Sequence, residues 1–167
     1  MNWLKSRAAL AIAAVVGLGL MAYALFSGDT DEERIVRTLT RLGQVIRFEA
    51  PPNPLIRGAA LSGELSELVT PDVVIEVPER NFVARGRDEL VRLAVAATGQ
   101  MQRLEISFSV QELEVHGDSA DVALDVITVT DRASEARASS RRADLRFVKN
   151  DDEWLLASAR VREDEEP

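Results

Sequence analysis

Apolar and polar positions change rhythm along this chain. Ala8 to Phe26 are nineteen consecutive positions without a charged side chain, preceded by Lys5 and Arg7 and followed by Asp29, Asp31, Glu32 and Glu33. From Ile35 the apolar residues recur at spacings of four, three and four (Ile35, Leu39, Leu42, Ile46), which is one face of a helix. From Leu104 the period falls to two. Ile106, Phe108 and Val110 alternate with polar neighbours, and Leu113 and Val115 continue on the opposite parity. Such a slip predicts a β-bulge near Gln111-Glu112.

Punctuation residues set the element boundaries. Thr30 with Glu33 has the Thr-x-x-Glu form of a capping box, so a helix opens there. It should end near Glu49, because Ala50-Pro51-Pro52-Asn53-Pro54 cannot continue it. A second helix is predicted from Ala59 to Val69, with Leu61, Leu65 and Leu68 inward, and a strand from Val73 to Val77 between two prolines. A third helix opens at Gly86-Arg87-Asp88-Glu89-Leu90, with Leu90, Leu93, Ala94, Ala97 and Met101 on its inward face. The alternating segments that follow predict antiparallel strands joined by turns at His116-Gly117-Asp118-Ser119 and Lys149-Asn150-Asp151-Asp152. Ala133 to Ser140, polar and alanine-rich, is expected to be a mobile hairpin end, and the last strand runs from Trp154 to Val161.

At 1.5 Å per residue the uncharged run is about 28 Å long, close to the hydrocarbon thickness of a bilayer. Its basic residues precede it, so the amino end should stay cytoplasmic and the rest should be exported. Two readings compete. Ala22-Tyr23-Ala24 matches the small-x-small site of a cleavable signal peptide, which would leave a secreted or periplasmic domain. The apolar run continues through Leu25 and Phe26, however, and Trp3 and Tyr23 lie near its ends, as interfacial aromatics do. An uncleaved single-pass anchor is therefore the expectation. The organisation that follows is a cytoplasmic terminus at 1–7, a transmembrane anchor at 8–26, a linker at 27–30, a folded domain at 31–162 and an acidic tail without order at 163–167.

Charge and composition narrow the partners. The chain of 167 residues has a formal net charge of −8, and the +2 of the amino segment leaves −10 on the exported part. Nucleic acid is a poor partner for such a surface. No cysteine is present, which excludes disulfides, thiolate metal sites and cysteine catalysis. Eighteen of the twenty basic residues are arginine, a coding bias and not a phosphate-binding pattern.

Three local patterns in this order resemble the NTF2-like superfamily, also called SnoaL-like or ketosteroid-isomerase-like. They are Leu65-Ser66-Glu67-Leu68-Val69-Thr70-Pro71-Asp72-Val73-Val74-Ile75-Glu76-Val77, then Phe82-Val83-Ala84-Arg85-Gly86-Arg87-Asp88-Glu89-Leu90, then Asn150-Asp151-Asp152-Glu153-Trp154-Leu155-Leu156. The resemblance spans Thr30 to Val161. It implies an α+β fold in which about three helices pack against a strongly curved antiparallel sheet to form a cone, here behind an N-terminal transmembrane helix. It also implies that such domains dimerise through the open face of the sheet.

Enzymes of that superfamily use an internal carboxylate or histidine, and the isomerases add a tyrosine donor. The only tyrosine here is Tyr23 in the apolar segment, and the only histidine, His116, sits in a turn. No catalytic residue can be carried over. Asp72, Glu76, Glu105 and Asp125 lie on or beside strands but should face solvent, and neither Asp121 with Asp125 nor Asp151 with Asp152 has metal-site spacing. No metal or cofactor is expected. Met101, Phe108 and Trp154 are candidates to line a pocket; Ile127, Val129 and Arg146 are candidates for an interface.

The functional expectation is a non-enzymatic interaction module on the outer face of the bacterial inner membrane, an accessory or scaffolding subunit of an envelope assembly. Its partners would be the membrane through 8–26, another envelope protein, and a second copy of itself. The alternative is a cone pocket that binds a small molecule or lipid, or acts on one in the SnoaL or ketosteroid-isomerase manner.

Overall fold

Helix α1 (Asp31–Ile46) opens on Asp31, Glu32 and Glu33, whose charges complement the dipole of its first turn, and buries Ile35, Leu39 and Leu42 along one stripe. It stops at Ile46, short of Glu49, where the Arg57 guanidinium donates to the carbonyls of Val45, Ile46 and Arg47. These are carbonyls that a helix end leaves open. A computed structural model of the protein describes residues 29–50, 53–132 and 135–162. The predicted anchor (8–26) and acidic tail (163–167) lie outside them; among the described residues no helix is long and apolar enough to cross a membrane. The chain divides at Thr30 into two units, and Asp31–Pro167 holds every element named here.

The proline-rich stretch after α1 starts α2 (Pro54–Ser66), five residues before the predicted Ala59. Asn53 Oδ1 accepts the Leu55 N–H at 3.0 Å, and Pro54 occupies a first-turn position that needs no donor. In α3 (Arg87–Thr98) the inward stripe is rotated from the expected one. Leu90 and Val91 pack against the core, Thr98 is buried, and Leu93 is exposed. α2 packs against this side of α3, where a Cβ added at Gly58 would meet Val95 at 3.6 Å.

Six strands make one sheet: β1 (Val69–Val77), β2 (Phe82–Arg85), β3 (Arg103–His116), β4 (Ser119–Arg132), β5 (Glu135–Asn150) and β6 (Glu153–Arg162). Their order is β2-β1-β6-β5-β4-β3. The expected all-antiparallel sheet is in fact mixed, because β1 runs parallel to β6, with Val74 opposite Ser158 and Glu76 opposite Arg160. Parallel neighbours are joined through distant chain, so alternation within either strand carries no mark of it. β1 also begins earlier than Val73, at Val69, and the register shifts between Val69 and Val74, across Pro71. β2 is a strand that the sequence reading did not assign.

The bulge falls where the parity slip puts it. Val110 faces Leu124 and Glu112 faces Ala123, so Gln111 is the extra residue. Leu113 and Val115 are thereby kept on the core side with Ile106 and Phe108. Both tight turns have two residues. Gly117 sits at φ 63° in one, and Asp151 and Asp152 at 46° and 68° in the other, the left-handed pair that joins twisted strands well. The segment expected to be a mobile hairpin end is instead paired, Ile127 with Ser140 and Val129 with Ala138. The core lies between the helices and one face of the sheet, around Ile35, Leu39, Leu61, Leu68, Leu124 and Phe147.

Candidate functional site

Strand alternation divides the sheet into two faces with different chemistry. The face toward the helices is apolar, with Val122 and Leu124 of β4, Ala143, Leu145 and Phe147 of β5, and Trp154 and Leu156 of β6 in one buried cluster. None of the four strand-associated carboxylates points into it. Asp72 is exposed, Glu76 is bridged by Arg160 at 2.9 Å, and Asp125 accepts from Gln111 at 2.9 Å. Glu105 is bonded to Arg103 at 2.7 Å, and that guanidinium holds its carboxyl below the ordinary carboxylate range.

The opposite face is charged and exposed, and it is the candidate functional site. The strand register arranges it in rows. One row reads Glu114, Asp121, Arg146 and Ser158 from β3 to β6; the next reads Glu112, Ala123, Asp144 and Arg160; a third reads Ser109, Asp125, Arg142 and Arg162. A trough of about 680 Å³ crosses this face, with Ala123 and Ser158 among its smaller side chains and Glu114, Arg146 and Arg160 among its charged ones. The charged residues that β3 and β4 supply to these rows are all acids, whereas β5 and β6 supply four arginines and the single acid Asp144.

Candidate interface residues fall together here. Ile127, 40% exposed, and Val129 share the parity of Asp121 on β4, and Arg146 stands opposite Asp121 with its guanidinium 3.8 Å from the carboxylate. The candidate pocket residues are dispersed. Met101 is half-buried between α3 and β3. Phe108 lines a groove of about 300 Å³ between α1 and β3, where Gly43 brings the helix backbone close to Ile106. Trp154 lies in the core, 2% exposed.

Trp154 is also part of a polar clasp. Its Nε1–H donates to Asp31 Oδ1 at 3.0 Å, Lys149 Nζ donates to the same oxygen at 3.1 Å, and Thr38 Oγ1 donates to the Trp154 carbonyl at 3.2 Å. The Trp154 and Lys149 hydrogen bonds hold the Asp31 carboxyl below its ordinary value. His116 is exposed at the end of β3, 3.3 Å from Glu114.

Sequence reading passed over Glu112, Glu114, Arg160 and Arg162 as site residues; Arg142 belongs to Arg141-Arg142, which reads from the sequence as a protected sheet edge or a docking point for an acidic partner. For Glu114 the signal was present: a two-residue turn at Gly117-Asp118 places it opposite Asp121. The arginines needed the β5–β6 register, which contains a shift between Arg146 and Phe147.

Comparisons with known proteins agree with this architecture. The chain's fold matches that of a protein from Kribbella flavida, with 12% identity over 80% of this chain and 90% of the other, at a TM-score of 0.67. A proposed dehydratase of the NTF2-like family from Streptomyces avermitilis matches at a TM-score of 0.62, with 19% identity over 81% and 98% of the two chains. A Mycobacterium tuberculosis protein of unknown function matches at 0.61, with 24% identity over 78% and 74%. No curated protein matches the chain. The model of the SnoaL-like domain matches residues 59–160, from the second helix through β6, and the chain accordingly belongs to the SnoaL-like family, with an NTF2-like fold.

Proposed function

We propose that this protein is a non-enzymatic interaction module that binds another protein through the sheet face turned away from its helices. In this reading residues 8–26 tether it to the bacterial inner membrane, and the domain works on the periplasmic side within an envelope assembly. The observation that carries the reading is the contrast between the two faces of the sheet. The face that encloses substrate in a pocketed cone is packed with apolar side chains, whereas the outer one presents arginines and acids beside exposed Ile127. Such a mixture of charged and apolar groups suits a non-obligate contact.

A photo-crosslinking residue at Ile127 in the full chain tests it in cells. Adducts to a protein are expected there and not from position 55 on α2, where Leu55 is also exposed. A second reading rests on the groove beside Phe108 and on the fold shared with the proposed dehydratase. It replaces the first if position 127 gives no adduct and the purified chain retains a stoichiometric small molecule in native mass spectrometry.

A further inference from the structure

Strand β3 forms one edge of the sheet, and the chain covers only its beginning. Just past α1 a single residue pairs with it. Phe48 N–H donates to the Leu104 carbonyl at 3.0 Å, and Leu104 N–H donates to the Phe48 carbonyl at 2.9 Å. Leu104 therefore turns its peptide groups to the outer edge, and the two-residue period sends those of Ile106, Phe108 and Val110 the same way. Among the described residues no further backbone partner meets that edge.

Open edges are ordinarily guarded by lysine, proline, inward charge or a bulge. Ile106-Ser107-Phe108-Ser109-Val110 contains none of these. The bulge comes only at Gln111, and the first charges are Glu112 and Glu114 beyond it. Beside the unguarded stretch lies the groove of about 300 Å³ between α1 and β3. Gly43 lets the helix backbone lie against the Ile106 carbonyl, where a Cβ would stand 3.1 Å from the oxygen. From that contact the groove runs to the exposed Val36 and Val110, with Leu39 and Phe108 on its walls. An added strand would place every second side chain in this groove. Its other side chains would extend the outer face beside Ser107, Ser109, Glu112 and Glu114. Opposite charges on neighbouring strands attract, so a basic residue suits the end beside the two glutamates.

We propose that the edge of β3 at Phe108 and Val110 takes up an extended segment of another protein as a further strand, with alternate apolar side chains in the groove and a basic residue beside Glu112 and Glu114. Backbone hydrogen bonds supply the hold and the groove supplies the selection, as in other strand additions. A second copy of this chain fits less well, because its own α1 would overhang the edge that α1 already overhangs at Gly43. The site is separate from the outer-face contact and does not rest on it.

Random short peptides displayed on phage can be selected against the immobilised full-length protein, and an enriched peptide measured by fluorescence anisotropy. That peptide should alternate apolar and polar residues and carry lysine or arginine at one end. Val110→Pro removes an outward N–H where an edge strand tolerates proline, and should weaken binding about tenfold. Val36→Lys, on the groove wall, should do the same with the thermal midpoint unchanged. N-methylation of alternate peptide amides should abolish binding, and residue-resolved hydrogen exchange should show the bound peptide protecting the Phe108 and Val110 amides. If Val110→Pro perturbs the fold, Val36→Lys and the N-methylated peptide decide. No enriched peptide, or one indifferent to Val36→Lys and to N-methylation, overturns the proposal. A dimer lost in Val36→Lys overturns it in favour of a second copy, and a small molecule retained in the groove overturns it in favour of a ligand pocket. Adducts from position 127 should persist in both variants, so a failure here is distinguishable from a failure of the outer-face reading.

Discussion

The clasp at the start of α1 shows how much one side chain can hold. Trp154 is nearly inaccessible and ties three elements through its ring, its Nε1–H and its carbonyl. Trp154→Ala should therefore lower the unfolding free energy by about 3–5 kcal/mol in a denaturant titration. His116→Ala, on an exposed turn, should change it little. Asp31 adds a pH dependence. Its folded value is lowered, so its contribution is fully present above the ordinary value of 3.8 and is lost as pH falls through the lowered folded value. The difference in thermal midpoint between wild type and Asp31→Asn should be constant above that pH and should shrink below it. A difference that persists unchanged at the acid end would assign Asp31 no such role.

Whole elements depend on single residues for register and for their starting points. Deleting Gln111 removes the extra residue of the β3 bulge and leaves Val110 opposite Leu124 and Glu112 opposite Ala123, an unbroken ladder. Side-chain period in a strand is two, so Phe108, Leu113 and Val115 then alternate without a slip and stay on the core side. The deletion should therefore keep cooperative unfolding by near-ultraviolet dichroism; its loss would show that the ladder depends on the bulge itself. At the other junction, Asn53→Ala removes the acceptor for the Leu55 N–H and should cost about 1 kcal/mol, read from the same denaturant titration. Bulge and bilayer-length apolar run alike are written in local pattern. The start of α2 was missed because Pro51, Pro52 and Pro54 read as a break, although Asn-Pro at that point is also a helix opening.

At the scale of the whole molecule the expectation concerns the membrane. In the proposed topology Lys5 and Arg7 would hold the amino end in the cytoplasm and the chain beyond Phe26 would be exported, so alkaline phosphatase fused after Pro167 should be active. An inactive fusion, with a cytoplasmic reporter working at the same position, would reverse the topology. Intact-mass measurement of purified protein should find the amino end near Met1; a mature end at Leu25 would leave a soluble periplasmic domain.

By itself the sequence determined what is local: the α1 stripe from Ile35 to Leu42, the bulge at Gln111, both two-residue turns and the buried Trp154. Each follows from residue spacing within a dozen positions, where helix and strand periods act directly on side-chain direction. The tertiary structure alone decided the parallel pairing of β1 with β6, the packing of α3 beside Gly58 of α2, and the opposition of Arg142 and Arg162. The first two join residues far apart in the chain, and the third depends on a register shift inside a hairpin. Nothing in the spacing of either segment reports its neighbour. The charge pattern of the outer face belongs to this second group: its residues are plain in the sequence, but which acid meets which arginine is set by the order of the strands.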